Sequence, residues 1–261
     1  MGASALVMAL VGLAAAQSAF GLTEIYAFVI SPGDHSATAT CPSGTHVVSG
    51  GGKTGVIPAT LGQTALNASH KSGNGWTATG YSFHDNQTSP SHNFRVTVYA
   101  YCAQHNLHLS TFRNTTTATP RVTTPVDCGS GYVVSGGGSV TSPYGVAFVD
   151  ARRPGGWKFG ADATSDGGST VPATTQAAVY CTPNPYRLRT ATASGSVDPN
   201  HIMTRTAHCP DGTRLVSGGG DAGASPYAVT WYSRRERNGW RITVTNDGPV
   251  PTTITAYAYC H

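Results

Sequence analysis

Charge is scarce in this sequence. Asp, Glu, Lys and Arg together make up 11% of the 261 residues, and the formal net charge is only +4. Lys is rarer still, confined to Lys53, Lys71 and Lys158. So small and scattered a positive excess excludes the dense basic face that nucleic-acid binding needs. Runs of Leu, Glu and Lys, the material of helices, are missing too, whereas glycine reaches 32 residues amid abundant Thr, Ser, Val and Tyr. That is the composition of an all-β chain with many tight turns. Aromatic residues recurring at fixed places exclude a disordered chain. No Cys-x-x-Cys pair occurs and the cysteine intervals are long, so a zinc knuckle is excluded and no cofactor or metal is implied. A long apolar run is lacking except at Ala5 to Ala16. That run is short of the roughly 20 residues that span a bilayer, but it suits the core of a signal peptide, with small residues for cleavage near Ala14-Ala15-Ala16. Residues 1–21 are therefore expected to be a secretory leader, although Met1-Gly2-Ala3-Ser4 carries no Lys or Arg, and residues 22–261 a single extracellular domain without a membrane span.

Val-Ser-Gly-Gly-Gly is present three times, at Val48 to Gly52, Val134 to Gly138 and Val216 to Gly220. Each copy follows a cysteine and a glycine, and each is later answered by Gly-Trp and then by Tyr-Cys. The chain is thus a triplicated unit with cores at 41–102, 128–181 and 209–260. A lone unit of this size hides only part of its apolar surface, so one shared body is expected. Six cysteines allow 15 pairings in principle, and triplication selects Cys41–Cys102, Cys128–Cys181 and Cys209–Cys260 as the simplest set. Such disulfides agree with export.

Within a unit the apolar residues alternate or form short β-branched runs, which predicts strands at Val-Ser-Gly-Gly-Gly, before Gly-Trp, from the tryptophan onward, and into the second cysteine. The inter-repeat segments each add one more, at Leu107 to Phe112 and Tyr186 to Thr192. Nothing comparable follows Cys260, whereas Ile25 to Ile30 precedes the first unit. The N-terminal strand is therefore expected to complete the last unit beside the tail and close the ring. The fold expected is a pseudo-threefold, β-prism-like domain of three cysteine-framed antiparallel sheets, closed by the N-terminal strand.

The pattern Cys-x-x-Gly, Val-Ser-Gly-Gly-Gly, Asn-Gly-Trp, Tyr-Cys resembles a repeat of secreted proteins from Streptomyces and related actinobacteria. Unit two departs from it, with one residue fewer between Gly131 and Ser135 and with Pro154-Gly155-Gly156-Trp157 in place of Asn-Gly-Trp. The resemblance implies secretion and a β-rich fold, and brings no activity or catalytic residues. In its three cysteine-framed β units the chain is also similar to the β-prism of vitelline membrane outer layer protein I, which bears on architecture alone.

A basic pair precedes each Gly-Trp turn: His70-Lys71, Arg152-Arg153 and Arg234-Arg235. Arginine forks can grip carboxylate or phosphate, and Trp76, Trp157 or Trp240 beside them could stack on a sugar face. Three such sites would bind a polymer through avidity. The competing reading makes each pair a solvated hairpin end and each tryptophan a core anchor. Histidines gather in unit one, at His35, His46, His70, His84, His92, His105 and His108, but the spacing of His105 and His108 does not put both on one strand face, so they read as surface residues. Ser49, Ser135 and Ser217 sit in the most repeated motif with no repeated acid or base, which is poor ground for a nucleophile. The expectation is a secreted, non-enzymatic, lectin-like protein that binds extracellular carbohydrate or cell-envelope polymer. The alternatives are a structural protein of the cell surface or matrix without a specific ligand, and a secreted hydrolase with a site in one repeat.

Overall fold

A computed structural model of the chain describes residues 22–31, 35–57, 64–82, 93–119, 121–141, 145–163, 172–223, 225 and 227–261. The expected leader and Ser142-Pro143-Tyr144 lie outside them. The described residues form eighteen antiparallel strands and no helix, six strands to a unit. Unit one holds β1 (Thr23–Ser31), β2 (His35–Thr40), β3 (His46–Ile57), β4 (Thr64–Ser72), β5 (Gly75–Ser82) and β6 (Asn93–Ala103). Unit two holds β7 (Ser110–Ala118), β8 (Arg121–Asp127), β9 (Tyr132–Thr141), β10 (Gly145–Arg153), β11 (Gly156–Ala163) and β12 (Ala173–Thr182). Unit three holds β13 (Arg189–Val197), β14 (His201–His208), β15 (Leu215–Asp221), β16 (Ala228–Glu236), β17 (Gly239–Asn246) and β18 (Thr252–Cys260).

Three six-stranded sheets result, ordered β1-β6-β3-β16-β17-β14, β13-β18-β15-β10-β11-β8 and β2-β5-β4-β9-β12-β7. This corrects the expectation of one sheet for each cysteine frame. Every unit splits, giving three strands to one sheet and three to another, and every sheet joins halves of two units. The physical reason is that the two halves of a unit meet face to face. In unit one, Val96, Val98 and Ala100 of β6 bury against Ala37, Ala39, Trp76, Ala78 and Leu66 of the opposite layer. The disulfide crosses that sandwich, from Cys41 just past β2 to Cys102 on β6. All three bonds pair as expected, with Cα–Cα separations of 5.8, 5.9 and 5.7 Å for Cys41–Cys102, Cys128–Cys181 and Cys209–Cys260.

The N-terminal strand does not dock beside the tail. β1 pairs with β6 along its whole length, Thr23 opposite Cys102 through Ser31 opposite Phe94. β18 is already flanked by β13 and β15. The segment before each first cysteine belongs to the unit that follows it, and it holds two strands where one was expected. β2, β8 and β14, which run into those cysteines, are short and largely polar, as in His-Ser-Ala-Thr-Ala-Thr.

Between units, β3 meets β16, β4 meets β9 and β10 meets β15 over two residue pairs each. Val-Ser-Gly-Gly-Gly makes these short seams possible. Its valine is the bulged residue of the strand, since the register skips Val48, Val134 and Val216. Its serine hydroxyl donates to the carbonyl of another unit's valine: Ser49 to Val216 (2.6 Å), Ser135 to Val48 (2.5 Å) and Ser217 to Val134 (2.7 Å). The run of bonds starts and ends on the same unit. The first glycine of each triplet lies under an indole, Gly50 beneath Trp76, Gly136 beneath Trp157 and Gly218 beneath Trp240, where a Cβ would overlap the ring. The second would drive a Cβ into backbone of the neighbouring unit, at Ser233, Ser69 and Asp150. Absence of a side chain, rather than positive φ, is what the triplet supplies.

Candidate functional site

The three Gly-Trp turns are two-residue hairpin loops, at Gly73-Asn74, Pro154-Gly155 and Arg237-Asn238. Asn74 and Asn238 each tie the loop back to the Val-Ser-Gly-Gly-Gly strand of their own unit: Asn74 Oδ1 accepts from Val47 N (3.0 Å) and Asn238 Oδ1 from Leu215 N (2.9 Å). Pro-Gly replaces this arrangement in unit two.

The tryptophans that open the next strands are buried, Trp76 at 1% exposure, Trp157 at 0% and Trp240 at 2%. Each meets a tyrosine of another unit edge-on: Trp76 with Tyr180 (5.6 Å), Trp157 with Tyr259 (5.4 Å) and Trp240 with Tyr101 (5.9 Å). Such pairs add about 1 kcal/mol beyond burial. The tyrosine hydroxyls accept from Lys71 N (2.7 Å), Arg152 N (2.7 Å) and Arg235 N (2.8 Å). These tryptophans are therefore core anchors, and the expectation that they stack on a sugar is corrected: glycine below and tyrosine beside leave no free ring face.

The basic pairs are not equivalent either. Counted back from the tryptophan, Lys71, Arg152 and Arg235 correspond, while His70 and Arg234 match Ala151, and Arg153 matches Ser72 and Glu236. Their partners differ accordingly. Arg153 pairs with Asp127 at 2.5 Å, and Arg152 donates to the Leu188 carbonyl at 3.3 Å. Arg234 lies over the Tyr99 ring (4.4 Å), donates to the Tyr232 hydroxyl (2.6 Å) and approaches Glu24 (3.8 Å) and Glu236 (3.9 Å). Arg235 Nε donates to the Arg237 carbonyl at 2.8 Å. The arginines are thus engaged within the protein, Arg235 in its own hairpin, Arg153 with β8 of its own unit, and Arg152 and Arg234 with neighbouring units.

Lys71 is different. It lines a cavity of about 100 Å³ with His46, Asn74, Asn106, Leu107 and Leu109, between the unit-one hairpin and the segment leading into β7. No ion pair among the described residues involves Lys71. Burial, with Arg113 nearby, holds its ammonium below the usual lysine pKa. Burial likewise lowers the pKa of His70, whose Nδ1 lies 3.2 Å from the Lys71 carbonyl oxygen. At the corresponding place in unit two, Tyr186 and Leu188 are each only 8% exposed and Arg152 donates to the Leu188 carbonyl. The cavity can hold a carboxylate or hydroxyl-rich ligand by donors from lysine, histidine and amide groups. Leu107, Leu109 and Asn106 could not be assigned to it from sequence, because they come from a different segment than Lys71.

A second cavity, about 20 Å³, lies where β4, β10 and β16 converge and is lined by Ser69, Asp150 and Ser233 among apolar side chains. These three occupy matching places, and each accepts from its unit's indole, Ser69 from Trp76 (3.0 Å), Ser233 from Trp240 (3.0 Å) and Asp150 from Trp157. Burial raises the Asp150 pKa to about 7, against the lowering effect of the indole hydrogen bond. His105 and His108 are exposed, His84 and His92 lie outside the described residues, and no group of three or more His, Cys, Asp or Glu gathers among the described residues. No described helix is long and apolar enough to cross a membrane. No protein-family model matches this chain, and no curated protein is significantly similar to it.

Proposed function

We propose that this is a secreted, non-enzymatic protein that binds extracellular carbohydrate or cell-envelope polymer, and that its principal site is the Lys71 cavity. One observation carries the reading: the cavity offers an unpaired lysine beside His46 and two asparagines, with no carboxylate and no Ser, Thr or Cys nucleophile in its lining. Such a set of donors favours holding an acidic or hydroxylated ligand over cleaving one. The architecture belongs to the same proposal. Three sandwiches whose serine–valine and tyrosine–tryptophan contacts run from unit to unit and return to the start suit a pseudo-threefold, β-prism-like body. Closure would lie in those interior contacts, since β1, β14, β13, β8, β2 and β7 end their sheets. The resemblance to the actinobacterial repeat and the three disulfides support export.

A purely structural role is the rival, favoured by the sulfur staples and by the self-contained pairing of Arg153, Arg234 and Arg235. A glycan array repeated with Lys71→Ala separates them. Saturable binding that weakens about tenfold or more in the variant, with an unchanged melting temperature, supports the cavity. No binding by either protein at high concentration supports the scaffold.

A further inference from the structure

The sheet that joins units one and three carries side chains that the two equivalent junctions do not have. On β1 and β6, Ile25, Val96, Val98 and Ala100 turn into the unit-one core, so Tyr26, Phe28, Arg95 and Tyr99 alternate onto the other face. Register places Lys53 of β3 opposite Thr97 on one side and Tyr232 of β16 on the other. Gly51, beside Lys53's row, leaves room for Arg234 of unit three to reach across to Tyr99. The Arg95 guanidinium carbon lies over the Phe28 ring, 4.1 Å from its centroid, and its Nε is buried with no acceptor among the described residues. Lys53 stands 5.8 Å from the Tyr232 ring centroid. Neither Arg95 nor Lys53 belongs to an ion pair among the described residues. Burial first, then Arg234 and Arg95, depresses the Lys53 pKa, while Glu24 and Glu236, the carboxylates at this junction, lie against Arg234 rather than Lys53 or Arg95.

The fold does not need this arrangement. Where this junction has Lys53, the others have Ser139 and Asp221, and where it has Arg95 they have Thr174 and Thr253. Phe28 is matched by Thr115 and Ser194. The other two junctions form with these small polar residues, and one carries an acid, so the cations and rings here are surplus to assembly.

We infer that the junction of units one and three is a binding site for a linear uronate-bearing polysaccharide, with Lys53 and Arg95 receiving carboxylates and the half-buried Tyr26 and Phe28 meeting sugar-ring faces. Contact with Phe28 positions the Arg95 guanidinium, whose terminal donors can grip a carboxylate. Rings interleaved with cations suit a polymer that alternates apolar ring faces with charges, which polyphosphate does not. The site shares a ligand class with the Lys71 cavity, but none of its residues.

The test uses the intact protein with polygalacturonate, polyphosphate and a neutral glucan, by calorimetry at two salt concentrations. Lys53→Ser and Arg95→Thr, which copy the unit-two junction, keep the fold intact. Polygalacturonate is expected to bind, each variant to weaken it by about tenfold, and Lys71→Ala to weaken it less than either. Equal binding of polyphosphate overturns the uronate assignment. Binding that Lys53→Ser and Arg95→Thr both leave intact overturns the site, and if Lys71→Ala abolishes that binding, the ligand belongs to the cavity and only the present inference fails. Absence of polygalacturonate binding overturns this inference, while glucan binding lost in Lys71→Ala alone leaves the cavity reading standing.

Discussion

The inward and outward faces of the three units obey different rules. Inside, Trp76, Trp157 and Trp240 repeat one set of contacts, each over a glycine and against the tyrosine of another unit. Outside, the same strand position carries Lys53, Ser139 and Asp221. Repetition therefore marks what assembly requires, and the proposed ligand sites fall where the repetition departs. Asp150 is the exception that helps most, an unrepeated residue inside the repeated shell, standing where its counterparts are Ser69 and Ser233.

The comparison breaks most severely if a Gly-Gly-Gly position tolerates a side chain. Gly137→Ala would force its Cβ into the Ser69 carbonyl across the unit seam, whereas Gly55, farther along a matching strand, has open space around it. The first is expected to cost more than about 4 kcal/mol and the second to stay within about 0.5 kcal/mol, both read from urea unfolding. Equal effects would mean that the glycines do not seat the seams.

Asp150→Ser turns the interior of unit two into that of its neighbours. A carboxyl raised to about 7 binds its proton more tightly folded than unfolded. Its stability contribution is thus complete below about pH 4 and lost as pH rises through about 7, amounting to up to about 4 kcal/mol. Native protein should lose melting temperature between pH 4 and 8, and Asp150→Ser should flatten that loss and be the more stable at pH 8. Parallel pH profiles would count against an enclosed carboxyl.

Ser135→Ala is the mildest probe. It leaves the Val48 carbonyl without its hydroxyl donor, at an expected cost of about 1–2 kcal/mol. Ser49→Ala and Ser217→Ala should cost the same within error if the three bonds are alike. Denaturant midpoints that rank them far apart would show that the ring of bonds is uneven.

Much of the interior was legible in the sequence. The triplication, the three cysteine pairs and the strands around Val-Ser-Gly-Gly-Gly and Gly-Trp follow from repeats and alternation. The split of each unit between two sheets did not, because alternation shows that a strand has an inner face without saying whether its partner lies beside it or opposite it. β2, β8 and β14 escaped notice because sequences such as Arg-Val-Thr-Thr-Pro-Val-Asp are short and interrupted. At the candidate site, Lys71 was found by its place before Gly-Trp. Its cavity was not, since Leu107 and Leu109 reach it from the next unit's approach. The tryptophans were offered as binding residues because an aromatic beside a cation looks alike whether it is exposed or packed on glycine.

Two-dimensional amide and indole NMR during titration with a bound polysaccharide tests most directly whether recognition is confined to the unrepeated faces. Shifts confined to the neighbourhoods of Lys71 and of Lys53 with Arg95, with the indole signals of Trp76, Trp157 and Trp240 unmoved, are the predicted result. Indole shifts in all three units with Lys71, Lys53 and Arg95 silent would contradict it.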